Sequence, residues 1–241
     1  MHRFFINEND IHNNSSVLEG RNAIHAGVLR IKIGEHIVLC NENSIDHTAI
    51  VKNIEKGRLY TEIISSSANL AEPGINITIF QALPKGDKFE EIINNCVQLG
   101  VIKIVPIITS RCITRLSGRD DKKLMRWQDI AEAAAKQSGR GRIPVINEIM
   151  SFNDAVTLSK KSELCFACYE LEENQNLKEI FNNSKPQSIS FFIGSEGGFT
   201  FEEVQTFIDN NIKTVSLGKR ILRTELAGAF VMSCLIHQFE E

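Results

Sequence analysis

Residues 188–204 read SISFFIGSEGGFTFEEV, and this stretch decides the fold class. Its apolar beginning predicts a buried strand, and the three glycines at 194, 197 and 198 predict a sharp turn whose backbone amides can bond a ligand. Thr200 stands where a helix N-cap is expected, and Glu203 follows at the spacing of a capping box. A strand, a glycine-rich turn and a helix in this order are typical of a parallel α/β sheet.

The same alternation of strands and helices runs from Pro73 to the last residues. Further strands are predicted for the apolar runs INITIFQAL, KIVPII, ELCFACYE and TVSLG. Helices are predicted for GDKFEEIINNCVQLG, DKKLMRWQDIAEAAAKQSG, FEEVQTFIDNN and TELAGAFVMSCLIHQF. Apolar runs without clean alternation suit parallel strands that are covered on both faces. We therefore predict an α/β domain with a parallel sheet over residues 73–241.

The pattern before residue 73 is different, because short strands follow one another with turns between them. The predicted strands are RFFI, HIVLCN, TAIVKNI and RLYTEII. One helix interrupts them at Gly20–Leu29, with Ala23, Ile24, Val28 and Leu29 approximating one face. We predict a small β-barrel or sandwich over residues 1–72, joined to the second domain by a linker within Ser65–Gly74, which is rich in small and polar residues.

Composition is that of an ordinary soluble protein: 241 residues, 42% hydrophobic, with a net charge of −3. No apolar run approaches the length needed to cross a bilayer, and the start of the chain lacks the apolar region of a signal peptide. We expect a cytoplasmic protein with no membrane partner.

The six cysteines lie mostly in apolar surroundings, which indicates reduced, buried thiols. Cys165 and Cys168 form a CxxC pair, which leaves a redox or zinc function open. However, no second Cys or His pair stands at zinc spacing, so we expect no metal.

Three loops that leave predicted strands are candidate binding elements, because ligands of α/β sheets bind beyond the carboxyl ends of the strands. The first loop begins at Glu170, the second is the glycine-rich turn 193–199, and the third is LGKRILRTE at 217–225. The turn matches neither a phosphate-binding P-loop nor a GxGxxG motif. The third loop places two arginines at a strand exit. The alternative to a binding role is a solvated loop that only caps the following helix.

Positive charge is concentrated between Lys103 and Arg142, where ten Lys or Arg face four Asp or Glu. Such a cluster in an acidic protein favours a local surface that contacts nucleic-acid phosphates. A solvated helix face would explain the same pattern, so both interpretations stay open from charge alone.

Several of these segments resemble, in order and spacing, the RsmE-like 16S ribosomal RNA (uracil-N3) methyltransferases of the SPOUT superfamily. The segments are the RFF start, HAGVLR at 25–30, LPKGDKFE at 83–90, KKLMRWQDIAEAAAKQSGR at 122–140, FFIGSEGGFTFEEV at 191–204 and LGKRILRTELA at 217–227. The resemblance covers the whole chain. It implies an N-terminal PUA-like β-barrel that helps to hold RNA, and a C-terminal SPOUT domain with a deep trefoil knot. It also implies a homodimer that binds S-adenosylmethionine in the knot.

The resemblance further implies methylation of N3 of a uridine in the decoding region of 16S rRNA, in the assembled small ribosomal subunit. The residues expected to hold the cofactor are Glu170, Ile193, Gly194, Glu196, Gly197, Gly198, Leu217, Gly218, Ile221 and Leu222. The expected catalytic residues are Arg220, Arg223 and Glu225. The arginines expected to contact RNA phosphates are Arg3, Arg30, Arg111, Arg115, Arg140 and Arg142.

The chain departs from the usual family pattern at two places. Ser195 stands where the family usually has proline, and Arg115 stands where lysine is frequent. A serine keeps the turn with some loss of rigidity, and Arg115 keeps the charge. Two other functions are considered: methylation of a different RNA nucleotide by the same fold, and binding of ribosomal RNA without catalysis. The intact glycines and arginines of the three loops argue against the second.

Overall fold

The computed structural model describes residues 1–41, 43–113, 120–181 and 185–240. These residues divide into two compact units. The first unit contains Met1–Glu72 and Ala135–Ile143, and the second contains Pro73–Ala134 and the chain from Pro144 onward.

The first unit is built on a six-stranded sheet. Its strands are β1 (His2–Phe5), β2 (Ile11–His12), β3 (Ser15–Leu18), β4 (His36–Cys40), β5 (Ile45–Glu55) and β6 (Arg58–Ala68); its helix is α1 (Gly20–Val28), and a 3₁₀ turn spans Glu8–Asp10. The strand order is β1-β4-β5-β6-β3-β2, and the pairs are antiparallel except for β1 with β4. Among the described residues the edge strands β1 and β2 do not pair with each other, so the sheet does not close into a barrel.

The core of the first unit forms where one face of the sheet meets α1. Phe4, Ile37 and Leu39 are fully buried there, and α1 contributes Ala23 and Ala26. The predicted inner face of α1 was wrong in part, because Ile24 is 71% exposed and Val28 is 75% exposed. The small alanines allow the helix to lie close to the sheet, so the larger side chains point outward.

Residues 135–143 belong to the first unit, whereas the predicted domain boundary at residue 73 places them in the second domain. The reason is a set of polar contacts centred on Glu72. Its carboxylate accepts hydrogen bonds from Nε and Nη2 of Arg140, both at 2.8 Å, and from the Gly141 amide at 2.7 Å. The thiol of Cys40 donates to the Gly141 carbonyl at 3.0 Å, which fixes the segment against the end of β4.

The second unit is a parallel sheet surrounded by helices. Its strands are β7 (Asn76–Ala82), β8 (Lys103–Ile108), β9 (Val145–Ile146), β10 (Met150–Ser151), β11 (Leu164–Cys168), β12 (Ser188–Ile193) and β13 (Lys213–Val215). Its helices are α2 (Lys88–Gln98), α3 (Asp120–Gln137, whose last three residues belong to the first unit), α4 (Phe152–Ser159), α5 (Leu177–Phe181), α6 (Phe201–Asp209) and α7 (Thr224–Phe239). The strand order is β10-β8-β7-β12-β11-β13, with β9 also paired to β8.

Every strand pair in this sheet is parallel, as the apolar strand runs predicted. The loops that leave the strands therefore emerge along one edge. Phe80 and Phe192 stack at the centre of the sheet with ring centroids 4.6 Å apart, and Phe207 of α6 covers them. This buried aromatic cluster fixes β7 and β12 as the rigid base of that edge.

Some elements were not predicted from the sequence. The short strands β9 and β10 and the helices α4 and α5 were missed because each is eight residues or shorter and carries little periodicity. The predicted linker also begins too early, since β6 continues to Ala68 with its polar end exposed. Among the described residues, no helix combines the length and apolar character needed to cross a bilayer.

Candidate functional site

A cavity of about 280 Å³ lies where β11, β12 and β13 end. Its walls come from the three strand-exit loops that the sequence indicated. All ten residues expected to hold a cofactor line it: Glu170, Ile193, Gly194, Glu196, Gly197, Gly198, Leu217, Gly218, Ile221 and Leu222. Cys168, Tyr169, Ser195, Ser216, Lys219, Arg220 and Ala227 also contribute to its walls.

The glycine-rich turn needs glycine at two of its positions because its backbone folds back on itself. The Gly198 amide donates to the Ser195 carbonyl at 2.9 Å, which closes the turn. A Cβ on Gly194 would lie 2.9 Å from Cα of Gly198, and Gly198 has a left-handed φ of +66°. The turn is followed by the predicted capping box, in which the Thr200 amide donates to Glu203 at 2.8 Å and the Glu203 amide donates to the Thr200 hydroxyl at 3.3 Å.

A hydrogen-bond network around Thr224 joins the glycine-rich turn to the start of α7. The Thr224 hydroxyl donates to the Gly194 carbonyl at 2.7 Å and accepts from Nε2 of Gln81 at 2.9 Å. Gln81 is fully buried near the end of the central strand β7. Gln81 was not among the expected site residues, although an amide inside the apolar run INITIFQAL was the available signal.

Removal of the Thr224 hydroxyl from this hydrogen-bond network is expected to destabilise the protein. Thr224→Val keeps the side-chain shape but removes the hydroxyl, so the Gly194 carbonyl keeps only the longer bond from Gln81 at 3.4 Å, and Nε2 of Gln81 loses one of its acceptors. We expect the free energy of unfolding to fall by about 1–3 kcal/mol, measured by urea denaturation. Thr206→Val is the matched control, because the Thr206 hydroxyl bonds the Glu202 carbonyl on the exposed side of α6. Equal losses in both variants would contradict the assignment.

Glu196 is held in the cavity wall by the first residue of α2 and by the loop that precedes this helix. Nζ of Lys88 donates to its carboxylate at 2.9 Å, and the Lys85 backbone amide donates at 3.2 Å. Partial burial alone would raise the pKa of Glu196, but the hydrogen bond from Lys88 and those from backbone amides hold that pKa below its usual value. The hydrogen bond to Glu196 raises the pKa of Lys88 in turn. Glu196 therefore faces the cavity as a carboxylate.

The three expected catalytic residues lie at the junction of the third loop and α7. Arg220 lines the cavity, whereas Arg223 and Glu225 stand just outside its lining. The Arg223 side chain is 85% exposed, with Nη1 lying 4.0 Å from Oε1 of Glu225. Oε2 of Glu225 lies 3.7 Å from Nζ of Lys88. An exposed guanidinium beside a largely buried carboxylate is suited to meeting a ligand from solvent.

The arginines expected to contact phosphates fall into different environments. Arg111 lies beside the cavity, where Nη1 donates to the Gly197 carbonyl at 2.5 Å and its aliphatic part packs on Gly197. Arg30 is exposed, and Arg142 is half-exposed while it pairs with Glu72. Arg115 lies outside the described residues.

Two of the expected phosphate contacts do not fit the structure. Arg140 is only 1% exposed and is paired through two hydrogen bonds with Glu72, so its role is to fix residues 135–143. Both terminal nitrogens of Arg3 bond Asp46, and the Arg3 side chain is 11% exposed. The sequence could not show this, because each acidic partner is distant along the chain.

The CxxC pair has no metal-binding surroundings among the described residues, where no cluster of three or more His, Cys, Asp or Glu side chains occurs. Cys165 and Cys168 are free thiols within β11. Burial raises the pKa of both thiols, so each is protonated and weakly reactive.

The parallel sheet and its glycine-walled cavity define an α/β protein of the RNA methyltransferase class, since the family model for the RNA methyltransferase domain matches residues 71–236. A Mesomycoplasma hyopneumoniae protein named ribosomal RNA small subunit methyltransferase E is 32% identical over 97% of this chain and 98% of its own length. The chain belongs to this family of ribosomal RNA small subunit methyltransferases E.

Two solved structures support the same relationship. The Neisseria gonorrhoeae ribosomal RNA small subunit methyltransferase E, bound to S-adenosylmethionine, superposes with a TM-score of 0.89 at 32% identity, covering 99% of this chain and 98% of that one. A methyltransferase structure from Legionella pneumophila, in complex with the same bound cofactor, gives a TM-score of 0.88 at 28% identity, covering 98% and 96%.

Proposed function

We propose that the protein methylates N3 of a specific uridine in 16S rRNA, with S-adenosylmethionine as the methyl donor. The observation that carries the proposal is the single cavity that collects all ten residues expected to hold the cofactor. Relatives that share the fold over nearly the whole chain have S-adenosylmethionine bound. The substrate follows from the family, whose members are named for ribosomal RNA of the small subunit.

The cavity suits a nucleoside cofactor with an amino-acid tail. The glycine-rich turn brings backbone amides to its surface. A Cβ on Gly194 would collide with Gly198 in the same turn, and one on Gly198 would collide with Glu170. Leu217 and Leu222 supply apolar surface for the adenine. The Ile221 amide is proposed as a hydrogen-bond donor, and so is the Gly218 amide, which donates to the Ser216 hydroxyl at 3.3 Å in this structure. When bound, the cofactor supplies an electrophilic methyl group on its sulfonium.

The chain's own residues act on the base. Uridine N3 carries a proton on the pairing edge, so the target base has to be unpaired before it can react. Loss of that proton places negative charge on the base, and the guanidinium groups of Arg220 and Arg223 stabilise this charge because they stay protonated. Glu225 orients Arg223 across 4.0 Å or takes up the proton.

The finer structural features of the family belong to this proposal. We propose that the first unit acts as a PUA-like β-barrel that holds RNA, with Arg30 and Arg142 as phosphate contacts, and that the second unit carries a deep trefoil knot. The long strands β5 and β6 support a barrel, since two register irregularities between them would bend the sheet. A cytoplasmic homodimer that acts on the assembled small subunit completes the proposal, with Arg111 as a phosphate contact beside the cavity.

The test is methyl transfer from labelled S-adenosylmethionine to small ribosomal subunits that lack their own N3-methyluridine, with the product base identified by mass spectrometry. We expect the label as N3-methyluridine. Arg223→Ala should lower the transfer rate about 10- to 50-fold while the stability changes by less than about 0.5 kcal/mol, since the side chain is exposed and makes no capping bond. Lys161→Met is the control, because Lys161 is exposed at the amino end of β11, away from the strand exits.

Other outcomes point to the other two functions. Label on a different nucleotide would agree with the fold and the cofactor but would show that the enzyme methylates a different target. An absence of both label and cofactor-induced thermal stabilisation would indicate an RNA-binding protein without catalysis.

A further inference from the structure

One ammonium group lies near two carboxylates of the second unit, one in the glycine-rich turn and one in the first turn of α7. Nζ of Lys88 lies 2.9 Å from Oε1 of Glu196, in the cavity wall, and 3.7 Å from Oε2 of Glu225, at the start of α7. Glu225 in turn lies 4.0 Å from Nη1 of Arg223. These contacts form a continuous series from the cavity wall to the exposed arginine.

Lys88 reaches this position through a fourth strand exit. It is the first residue of α2, which follows β7, and β7 is paired directly with β12 at the centre of the sheet. The loop between β7 and α2 therefore lies beside the glycine-rich turn, and the Lys85 backbone amide also bonds Glu196. This fourth loop supplied none of the expected site residues.

Glu225 depends on Lys88 more than Glu196 does. Oε2 of Glu225 is buried and has no hydrogen-bond partner within the described structure; Lys88 lies 3.7 Å from it, nearer than the exposed Arg223, which lies 4.0 Å from Oε1. Glu196 would keep the Lys85 amide if Lys88 were removed. Loss of the ammonium group would therefore release Glu225 and loosen Glu196.

We propose that Lys88 is a positioning residue for the methyl transfer. Its ammonium group forms ion pairs with Glu196 of the cofactor cavity and with Glu225 beside Arg223, and so holds both carboxylates in place. The inference rests on the proposed function, because that function assigns cofactor binding to Glu196 and base binding to Arg223 and Glu225. Partly exposed ion pairs add little to stability, so this role predicts a large effect on rate and a small one on folding. A displacement of about 1 Å between reacting groups is enough to slow a reaction about 100-fold.

The test compares Lys88→Met with Lys88→Arg, Glu225→Gln and the double variant Lys88→Met/Glu225→Gln in the full chain. Lys161→Met removes the same charge at the amino end of β11 and serves as the control. Three quantities are measured: single-turnover methyl transfer at saturating cofactor, the S-adenosylmethionine dissociation constant by calorimetry, and hydrogen exchange of residues 194–198 and 224–228. The melting temperature monitors folding.

We expect Lys88→Met to slow single-turnover transfer about 10- to 100-fold and to raise the dissociation constant about 3- to 10-fold, with faster exchange in both segments and a melting temperature within about 2 °C of wild type. Lys88→Arg should recover the rate to within about 3-fold, because a guanidinium can bridge both carboxylates. The double variant should be no slower than the slower single variant.

Two results would overturn the proposal: Lys88→Met behaving like Lys161→Met in exchange and affinity, or the effects of Lys88→Met and Glu225→Gln on rate being additive. If the wild-type protein transfers no methyl group to ribosomal RNA, the proposed function fails. The exchange and affinity measurements then still decide whether Lys88 holds the two segments.

Discussion

Replacement of Gly198 by alanine is expected to weaken the binding of S-adenosylmethionine by about 30-fold or more. A Cβ at this position would lie 2.8 Å from Oε2 of Glu170 and closer still to Oε1. The φ of +66° adds backbone strain of about 1–2 kcal/mol for any residue with a side chain. The Glu170 carboxylate would have to rotate away to relieve the clash, and because Glu170 lines the cavity, this rotation would change the surface that the cofactor meets.

Gly218→Ala separates strain from collision. Gly218 lines the same cavity and has a φ of +109°, but a Cβ there would meet no atom within 4 Å. This variant should therefore lose about 10-fold in affinity at most. Calorimetric titration with S-adenosylmethionine and the cofactor-induced shift in melting temperature provide the comparison. If the two alanine variants bound the cofactor equally well, the collision with Glu170 would not determine the affinity.

Removal of the Glu72 carboxylate is expected to destabilise the first unit by about 3–5 kcal/mol, the usual cost of breaking a buried ion pair on one side. Glu72→Ala would leave the Arg140 guanidinium buried without its carboxylate, because Arg140 is almost fully enclosed. It would also remove the acceptor for the amides of Gly141 and Arg142. Urea unfolding followed by hydrogen exchange in β4 and β5 measures the change in that unit.

A surface ion pair in the same unit supplies the control. Glu19 pairs with Arg58 at 3.0 Å, and both side chains are half-exposed. Glu19→Ala should change the free energy of unfolding by less than about 0.5 kcal/mol, because exposed pairs contribute little. A change in Glu72→Ala as small as the one in Glu19→Ala would refute a structural role for the buried pair.

The sheet and the cavity lining could be predicted from the sequence because their signals are local. Apolar runs identify strands, and glycines directly after a strand identify a turn in which the backbone approaches a ligand. Parallel topology then brings the exits of neighbouring strands together, and the capping box of Thr200 and Glu203 is contained within four residues. No knowledge of distant contacts was needed for any of these conclusions.

The remaining features depend on residues that meet only after folding. Gln81 and Thr224 are 143 positions apart, and Lys88 and Glu196 are 108 apart. Charge alone could not separate Arg140 from an exposed arginine, since its partner Glu72 lies 68 positions away. The order of the strands in the sheets determines which of these residues come into contact, and the periodicity of the sequence carries no information about strand order.

The assignment of residues 135–143 to the first unit has a consequence for how this protein can be divided. The chain passes from one unit to the other three times, after Glu72, after Ala134 and after Ile143. A fragment ending at Glu72 would carry a carboxylate made for an arginine it no longer contains. A fragment starting at Pro73 would carry that arginine without the carboxylate. Each unit is built from two separate stretches of the chain, so neither corresponds to one contiguous fragment.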